Sequence, residues 1–359
     1  MKRILFILPN LDLGGVETVV MNYFRHINRK KVVFDFVVHG EKGYFEDEAI
    51  ALGAKIFRAP TRKQSFLGNI LTMRKIYKAH KEYDFIIVCA EHSFAFIEMS
   101  IAWLSGIKNR GAWSFFSSYQ GKSNFKKYLN YAARPFMSLF SNIKIACTKE
   151  AGLWLFGKKD CPVLNNAINM EKFKFSLEKR EEIREKHGLL GEFVVGIAGR
   201  LTNVKNHNFA LQVFNEIHRK KKNSAFLIVG NGELMEDLKY QAKKLSIHNN
   251  VIFTGSVPEI SDYYHAMDAL IIPSFHEGLP VVAVEAQASG LKIIISDTLP
   301  KEAILSPHAC FKSLKSGAAS WAEELLEVRS SRCEDLDLSK SGFDIIHEAK
   351  RFMKEIIKV

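Results

Sequence analysis

The stretch Phe193-Val194-Val195-Gly196-Ile197-Ala198-Gly199-Arg200-Leu201-Thr202-Asn203-Val204-Lys205-Asn206 decides the fold. Its first six residues are a short, unbroken apolar run, the mark of a strand buried on both faces. Gly199 ends the run, a polar loop follows, and a helix is predicted over Asn208–Lys220. The chain opens in the same way. Arg3-Ile4-Leu5-Phe6-Ile7-Leu8 stops at Pro9, and a polar loop carries Gly14-Gly15. Val16, Val19, Val20, Tyr23, Phe24 and Ile27 then recur at helical spacing. Strand, loop, helix therefore begins twice, once in each half.

Working outward, the first half predicts strands at Val32–Val38, Lys55–Phe57, Asp84–Cys89 and Ile143–Cys147. Helices at Glu46–Leu52, Leu67–His80 and Phe94–Leu104 lie between them. The second half predicts strands at Ala225–Val229, Val251–Thr254, Ala269–Ile272 and Lys292–Ile295, with a helix at Glu233–Leu245. Strands alternating with helices build parallel sheets covered on both faces. The expected class is α/β, as two Rossmann-like domains facing across a cleft. Residues 1–165 would form the first domain and 166–342 the second. Residues 343–359 would add an amphipathic C-terminal helix that packs back on the first.

The composition agrees. With 359 residues, 47% hydrophobic, 25% charged and only 9 Pro, the chain is neither disordered nor collagen-like. No apolar run approaches the ~18 residues of a membrane-spanning helix. The longest candidate, Phe94–Leu104, contains Glu98. After Lys2 and Arg3 only five apolar residues precede Pro9, too few for the core of a cleaved leader. Five scattered Cys, at 89, 147, 161, 310 and 333, form no paired spacing and read as reduced thiols. The expected location is cytoplasmic, on the inner face of the membrane if the chain touches lipid. The net charge of +12 sits wholly in residues 1–165, which hold 25 Lys+Arg against 13 Asp+Glu; the remainder holds 26 of each. A basic half suits an anionic partner, such as a membrane surface or a phosphate-rich substrate. No nucleic-acid-binding motif is present.

Ligands of open parallel sheets bind beyond the carboxyl ends of the strands, so the loops after strands hold the candidate residues. Gly14 and Gly15 precede a helix and let a phosphate or sugar approach backbone N–H groups. In the loop after Ala198, Arg200 offers a planar fork and Lys205 a point charge for phosphate oxygens. Two cations there can neutralise a leaving diphosphate without a metal. Gly230-Asn231-Gly232 is a further strand–loop–helix turn. The most specific stretch is Pro273-Ser274-Phe275-His276-Glu277-Gly278-Leu279-Pro280-Val281, followed by Glu285. Pro280 suits the first turn of a helix, and the two glutamates can accept bonds from sugar hydroxyls.

These motifs together resemble the retaining glycosyltransferases of family 4, whose fold is called GT-B. The pair Glu277 and Glu285, the Arg200…Lys205 loop, Gly14-Gly15, Ala266-Met267-Asp268 and Pro273-Ser274 occur in that family's order over nearly the whole chain. The similarity is to bacterial exopolysaccharide and capsule enzymes. It implies that Glu285 binds the donor ribose, that Glu277 lies beside the donor sugar, and that Arg200 and Lys205 hold the diphosphate. Backbone groups of Gly15, Gly278, Leu279 and Val281 would assist, with the base near Asn231 and Phe253. No metal and no cofactor are implied, since the nucleotide-sugar is a substrate. Asp335-Leu336-Asp337 is a lone DxD outside any strand–loop context and reads as surface charge.

Two departures concern the acceptor side. The family's His-Ser-His-Asn segment is replaced by Ala112-Trp113-Ser114-Phe115-Phe116-Ser117, and its Pro-Asn-Gly-Ile-Asp junction by Asn165-Asn166-Ala167-Ile168-Asn169. Trp113 and His92 are the residues left to face an acceptor. The segment from Lys122 to Met137 interleaves Lys and Arg with Phe, Tyr and Leu, which suits either an anionic bilayer or a packed helix with a basic outer face. The expected activity is transfer of a sugar from a nucleotide-diphosphate donor, expected to be a UDP-sugar, to a lipid-linked glycan. Two rivals remain: a non-catalytic sugar-nucleotide or glycan-binding partner of another transferase, and a sugar-nucleotide epimerase.

Overall fold

Twelve parallel strands account for both sheets among the residues that the computed structural model describes, which are 1–80, 82–118, 124–158, 160–327, 332, 338 and 341–358. The first sheet contains β1 (Lys2–Ile7), β2 (Val32–Val38), β3 (Ile56–Arg58), β4 (Tyr83–Ala90), β5 (Asn109–Ser114) and β6 (Ile143–Ala146). The second contains β7 (Phe193–Ala198), β8 (Ser224–Val229), β9 (Val251–Gly255), β10 (Ala269–Ile272), β11 (Lys292–Ser296) and β12 (Ala309–Lys312). Their orders are β3-β2-β1-β4-β5-β6 and β12-β11-β10-β7-β8-β9. Each sheet therefore grows to one side for three strands and then reverses. The reversal falls between β1 and β4 in one sheet and between β7 and β10 in the other. At such a point the two adjoining loops part to opposite faces and leave a crevice at the carboxyl edge.

Two units divide the chain, one of residues 1–168 and 342–359, the other of 169–341. Ile168 and Asp344 form a parallel bridge where the chain leaves the first unit and returns to it. The returning segment, a helix at Ile345–Arg351 and a π-helical turn at Phe352–Ile357, is part of the first unit. Its Phe352 ring lies 5.7 Å from Tyr23, 5.8 Å from Phe34 and 6.1 Å from Trp113. Trp113 is 0% exposed in this stack. Its expected place facing an acceptor is therefore corrected: a ring with no exposed surface is core, and β5 directs it inward. β5 itself, Asn-Arg-Gly-Ala-Trp-Ser, carries no apolar run, because β4 and β6 flank it and backbone pairing holds it.

The second unit rests on a charged anchor. Asp268, just before β10, accepts from Arg180 at 2.6 Å, from Arg184 at 2.8 Å and from the Val194 N–H at 2.7 Å. Its own N–H donates to Val194 O at 2.7 Å. Arg180 and Arg184 stand on the helix Leu177–Lys186 and also donate to the carbonyls of His265, Ala266 and Met267. One carboxylate thus fixes where β10 begins beside β7. Lys122, Cys333 and the Asp335-Leu336-Asp337 segment lie outside the described residues; the other four cysteines are free. Among the described residues no helix is long and apolar enough to cross a membrane.

Replacing Asp268 by Ala takes the carboxylate from one buried and one half-buried guanidinium group and should cost about 3 kcal/mol of stability. Urea unfolding of the two proteins measures it. A loss under ~1 kcal/mol would show that the anchor is dispensable.

Candidate functional site

At the reversal point of the second sheet, the loops after β7 and β10 are joined three times. The Phe275 N–H donates to Val204 O at 2.9 Å, and Asn206 Nδ2 to Pro273 O at 3.1 Å. Lys205 Nζ and Glu277 Oε2 form an ion pair at 2.5 Å, with both side chains mostly buried. Asn206 takes a left-handed conformation (φ 56°) that turns the chain into the helix His207–Lys220. Arg200 is exposed on the same loop. The loop after β8 braces this arrangement from the other side: the Leu201 N–H donates to Asn231 O at 3.0 Å. Gly230 has φ +137°, and a Cβ there would collide with the Gly199 carbonyl, so only glycine allows the two loops to touch.

Glu285 sits in the helix Val281–Ala288, which Pro280 precedes. It is buried, and Tyr264 OH donates to its Oε2 at 2.8 Å. Burial pushes its carboxyl up to about 7, while the Tyr264 bond and Lys172 pull the other way. Gly278 and Leu279 are buried and Val281 half-buried where this helix begins. Asn231 is exposed, and its Oδ1 accepts from the Gly232 N–H at 2.8 Å. Phe253 lines a shallow groove of about 380 Å³ with Tyr240, Lys239 and His248.

The first unit has its own reversal point, and the expected residues there are Gly14, Gly15 and His92. Gly14 precedes the helix Gly15–His26 in extended conformation. A Cβ on Gly15 would meet nothing within 4 Å, so no contact inside the protein demands a glycine. A small residue at that place leaves the loop open to a ligand. His92 follows β4, and its imidazole is held below the usual range by burial, with Arg62 and Lys126 adding to the effect and Glu91 opposing it. Three polar residues here escaped the sequence reading: His39 after β2, Arg62 after β3 and the buried Glu98. Each is a single residue in a different loop or helix. Only the strand order gathers them at one edge. His207, next to the ion pair, escaped it too, and burial and Lys205 hold it down to about 4.

Comparison with known proteins adds a family to this geometry. Residues 179–337 match the glycosyl transferases group 1 family. The chain is 31% identical over 340 residues to the glycosyltransferase EpsF of Bacillus subtilis (strain 168), covering 92% of this chain and 88% of that one. It is 33% identical over 308 residues to the UDP-Gal:alpha-D-GlcNAc-diphosphoundecaprenol alpha-1,3-galactosyltransferase of Escherichia coli, covering 79% and 76%. Among solved structures, HepE of Anabaena with UDP and glucose superposes with a TM-score of 0.83 over 100% of both chains at 16% identity. The two sheets and this likeness identify the fold as GT-B.

The raised Glu285 carboxyl has a thermodynamic consequence. The native state holds this proton more tightly than the unfolded state does. Stability contributed by the neutral carboxyl is therefore present at low pH. It is lost as pH rises from the unfolded value of 4.5 to about 7. Glu285→Gln should flatten that part of the stability–pH profile, a change on the order of 3 kcal/mol at most. Melting curves between pH 5 and pH 8 check it; an unchanged slope in the variant would contradict the burial argument.

Proposed function

The chain belongs to the group 1 glycosyl transferases, and from that premise we propose a retaining, UDP-sugar-dependent transfer to a lipid-linked acceptor in surface-polysaccharide synthesis. The observation that carries the donor half is the Lys205–Glu277 pair beside Arg200 at the reversal point of the second sheet. A diphosphate leaving group gains negative charge as the glycosidic bond breaks. Lys205, held by Glu277, meets that charge from a fixed position, where electrostatic catalysis is strongest, and Arg200 on the same loop adds a second cation. The start of the helix Val281–Ala288 adds its dipole. Glu277, tied to Lys205, receives hydroxyls of the donor sugar. Glu285 accepts from the ribose hydroxyls while Tyr264 holds its other flank.

No nucleophilic side chain is required. The C1–O bond to the diphosphate breaks, and the acceptor oxygen bonds to C1 on the same face. The acceptor's proton passes to a phosphate oxygen of the departing UDP. The protein's part is positioning and charge stabilisation. The Escherichia coli relative acts, by its name, on a diphosphoundecaprenol-linked sugar, which supports the acceptor class proposed here.

The first unit supports a membrane-facing acceptor domain. On the helix Asn124–Phe140, Phe125, Tyr128 and Leu139 are exposed beside Lys126 and Lys127. The helix Phe96–Leu104 packs alongside, with Trp103 5.8 Å from Phe140 and itself exposed. Exposed aromatics among cations match an anionic bilayer surface. The second reading, a non-catalytic sugar-nucleotide or glycan binder, has only the altered Trp113–Phe116 segment in its favour.

Lys205→Ala and Glu277→Ala should each lower transfer by about 100-fold or more with folding intact. A radiolabelled-sugar assay on lipid-linked acceptor checks this, and near-normal rates would refute the assignment. Transfer should persist in EDTA. Replacing Phe125 and Tyr128 by Ser should release the protein from phosphatidylglycerol vesicles, and unchanged sedimentation would remove the membrane reading.

A further inference from the structure

Beyond the donor loops, one edge of the first unit gathers charged and imidazole groups to which the transfer step above gives no role. Arg62 follows β3 and reaches the β4 side of the sheet, where its Nη1 donates to Phe94 O at 2.9 Å. Its Nε lies 3.4 Å from Glu98 Oε1, and Glu98 is buried on the helix Phe96–Leu104. The guanidinium is thus held from beneath by a carboxylate and from one side by a carbonyl, while about a quarter of the side chain remains exposed. Two imidazoles lie within its electrostatic reach. His39, directly after β2, has Nδ1 on Ala59 O at 3.0 Å, so Nδ1 carries the proton of the neutral ring. His92 follows β4 and also feels Lys126, on the helix Asn124–Phe140. The one opposing charge it feels is Glu91, next to it in the chain.

Place in the fold gives this cluster a meaning. Arg62, His39 and His92 all follow strands, so they stand at the carboxyl edge of the first sheet, where its ligand belongs. Glu98 and Lys126 stand on the two helices whose outer surfaces carry the exposed aromatics. The cluster is therefore the rim between the ligand-binding edge and the apolar face. In a lipid-linked glycan the group that lies between tail and sugar is a diphosphate.

We propose that Arg62, with His39, His92 and Lys126, forms a diphosphate subsite that holds the bridge of a prenyl-diphosphate-linked acceptor. The inference rests on the lipid-linked-acceptor reading above and adds the residues that would enforce it. Arg62 supplies the bidentate fork, and Glu98 is a positioning residue that sets its plane. Burial and Arg62 hold both imidazoles below the usual range. A bound dianion would oppose that lowering and favour their charged form.

The test is a calorimetric titration of the full chain, saturated with UDP, with farnesyl diphosphate, and in parallel with phosphatidylglycerol vesicles. UDP binding alone, measured first, reports on the donor reading, and the titration reports on this subsite. Saturable farnesyl diphosphate binding is expected. Arg62→Ala should weaken it about tenfold or more, with partial recovery in Arg62→Lys and little change in vesicle binding. His39→Gln and His92→Gln should each weaken it less. Circular dichroism on Arg62→Ala separates loss of binding from loss of fold. Farnesyl diphosphate binding that Arg62→Ala and Arg62→Lys leave within about twofold would overturn the proposal. So would a loss confined to vesicle binding, which would assign Arg62 to phospholipid headgroups.

Discussion

The carboxylate of Asp268 is the constraint on which the second unit depends. It accepts from two arginines of one helix and from the backbone of β7, and its own N–H returns a bond to β7. That sets the register Ala269↔Val195 and Leu270↔Gly196. With β10 placed beside β7, the loops that leave both strands must emerge side by side. Lys205 and Glu277 meet for that reason, although they are 72 residues apart in sequence.

The Lys205–Glu277 pair shows how such a site resolves competing demands. A mostly buried ion pair is poor evidence for stability, since desolvation offsets much of its attraction. Its value lies in orientation. In the proposed reaction a phosphate oxygen competes with Glu277 for Lys205, and a sugar hydroxyl competes with Lys205 for Glu277. The pair keeps both groups aimed before the donor arrives, so little reorganisation is left for the chemical step. The buried Glu285 works differently. Its pushed-up carboxyl makes ionisation costly, and in the proposed reaction the ribose hydroxyls would join Tyr264 as donors and lower that cost.

The sequence made the strand–loop–helix alternation legible because strands buried on both faces are continuous apolar runs. Phe193–Ala198 and Val32–Val38 stand out for that reason. β5 did not, because Asn109-Arg110-Gly111-Ala112-Trp113-Ser114 owes its place to neighbours on both sides. Trp113 was misplaced for a related cause: its partner Phe352 comes from the far end of the chain, and no local pattern announces that contact. Gly230-Asn231-Gly232 looked like an ordinary turn, and only the close approach to Gly199 shows why glycine is needed. The residues proposed for the donor side follow strands at recognisable motifs, so the sequence singles them out. Arg62, His39 and Glu98 were not legible, because their association depends on strand order.

The deciding property is binding of a nucleotide diphosphate by the reversal-point loops of the second unit. A thermal-shift series on the purified chain with UDP, GDP, ADP and their sugar conjugates is the direct measurement. A ligand that binds only the native state, at ~100 times its Kd, adds about 2.7 kcal/mol of stability. UDP and a UDP-sugar should stabilise the chain, an effect lost in Arg200→Ala and weakened in Glu285→Ala. Indifference to every nucleotide, or a shift that Arg200→Ala leaves in place, would contradict the proposed donor site.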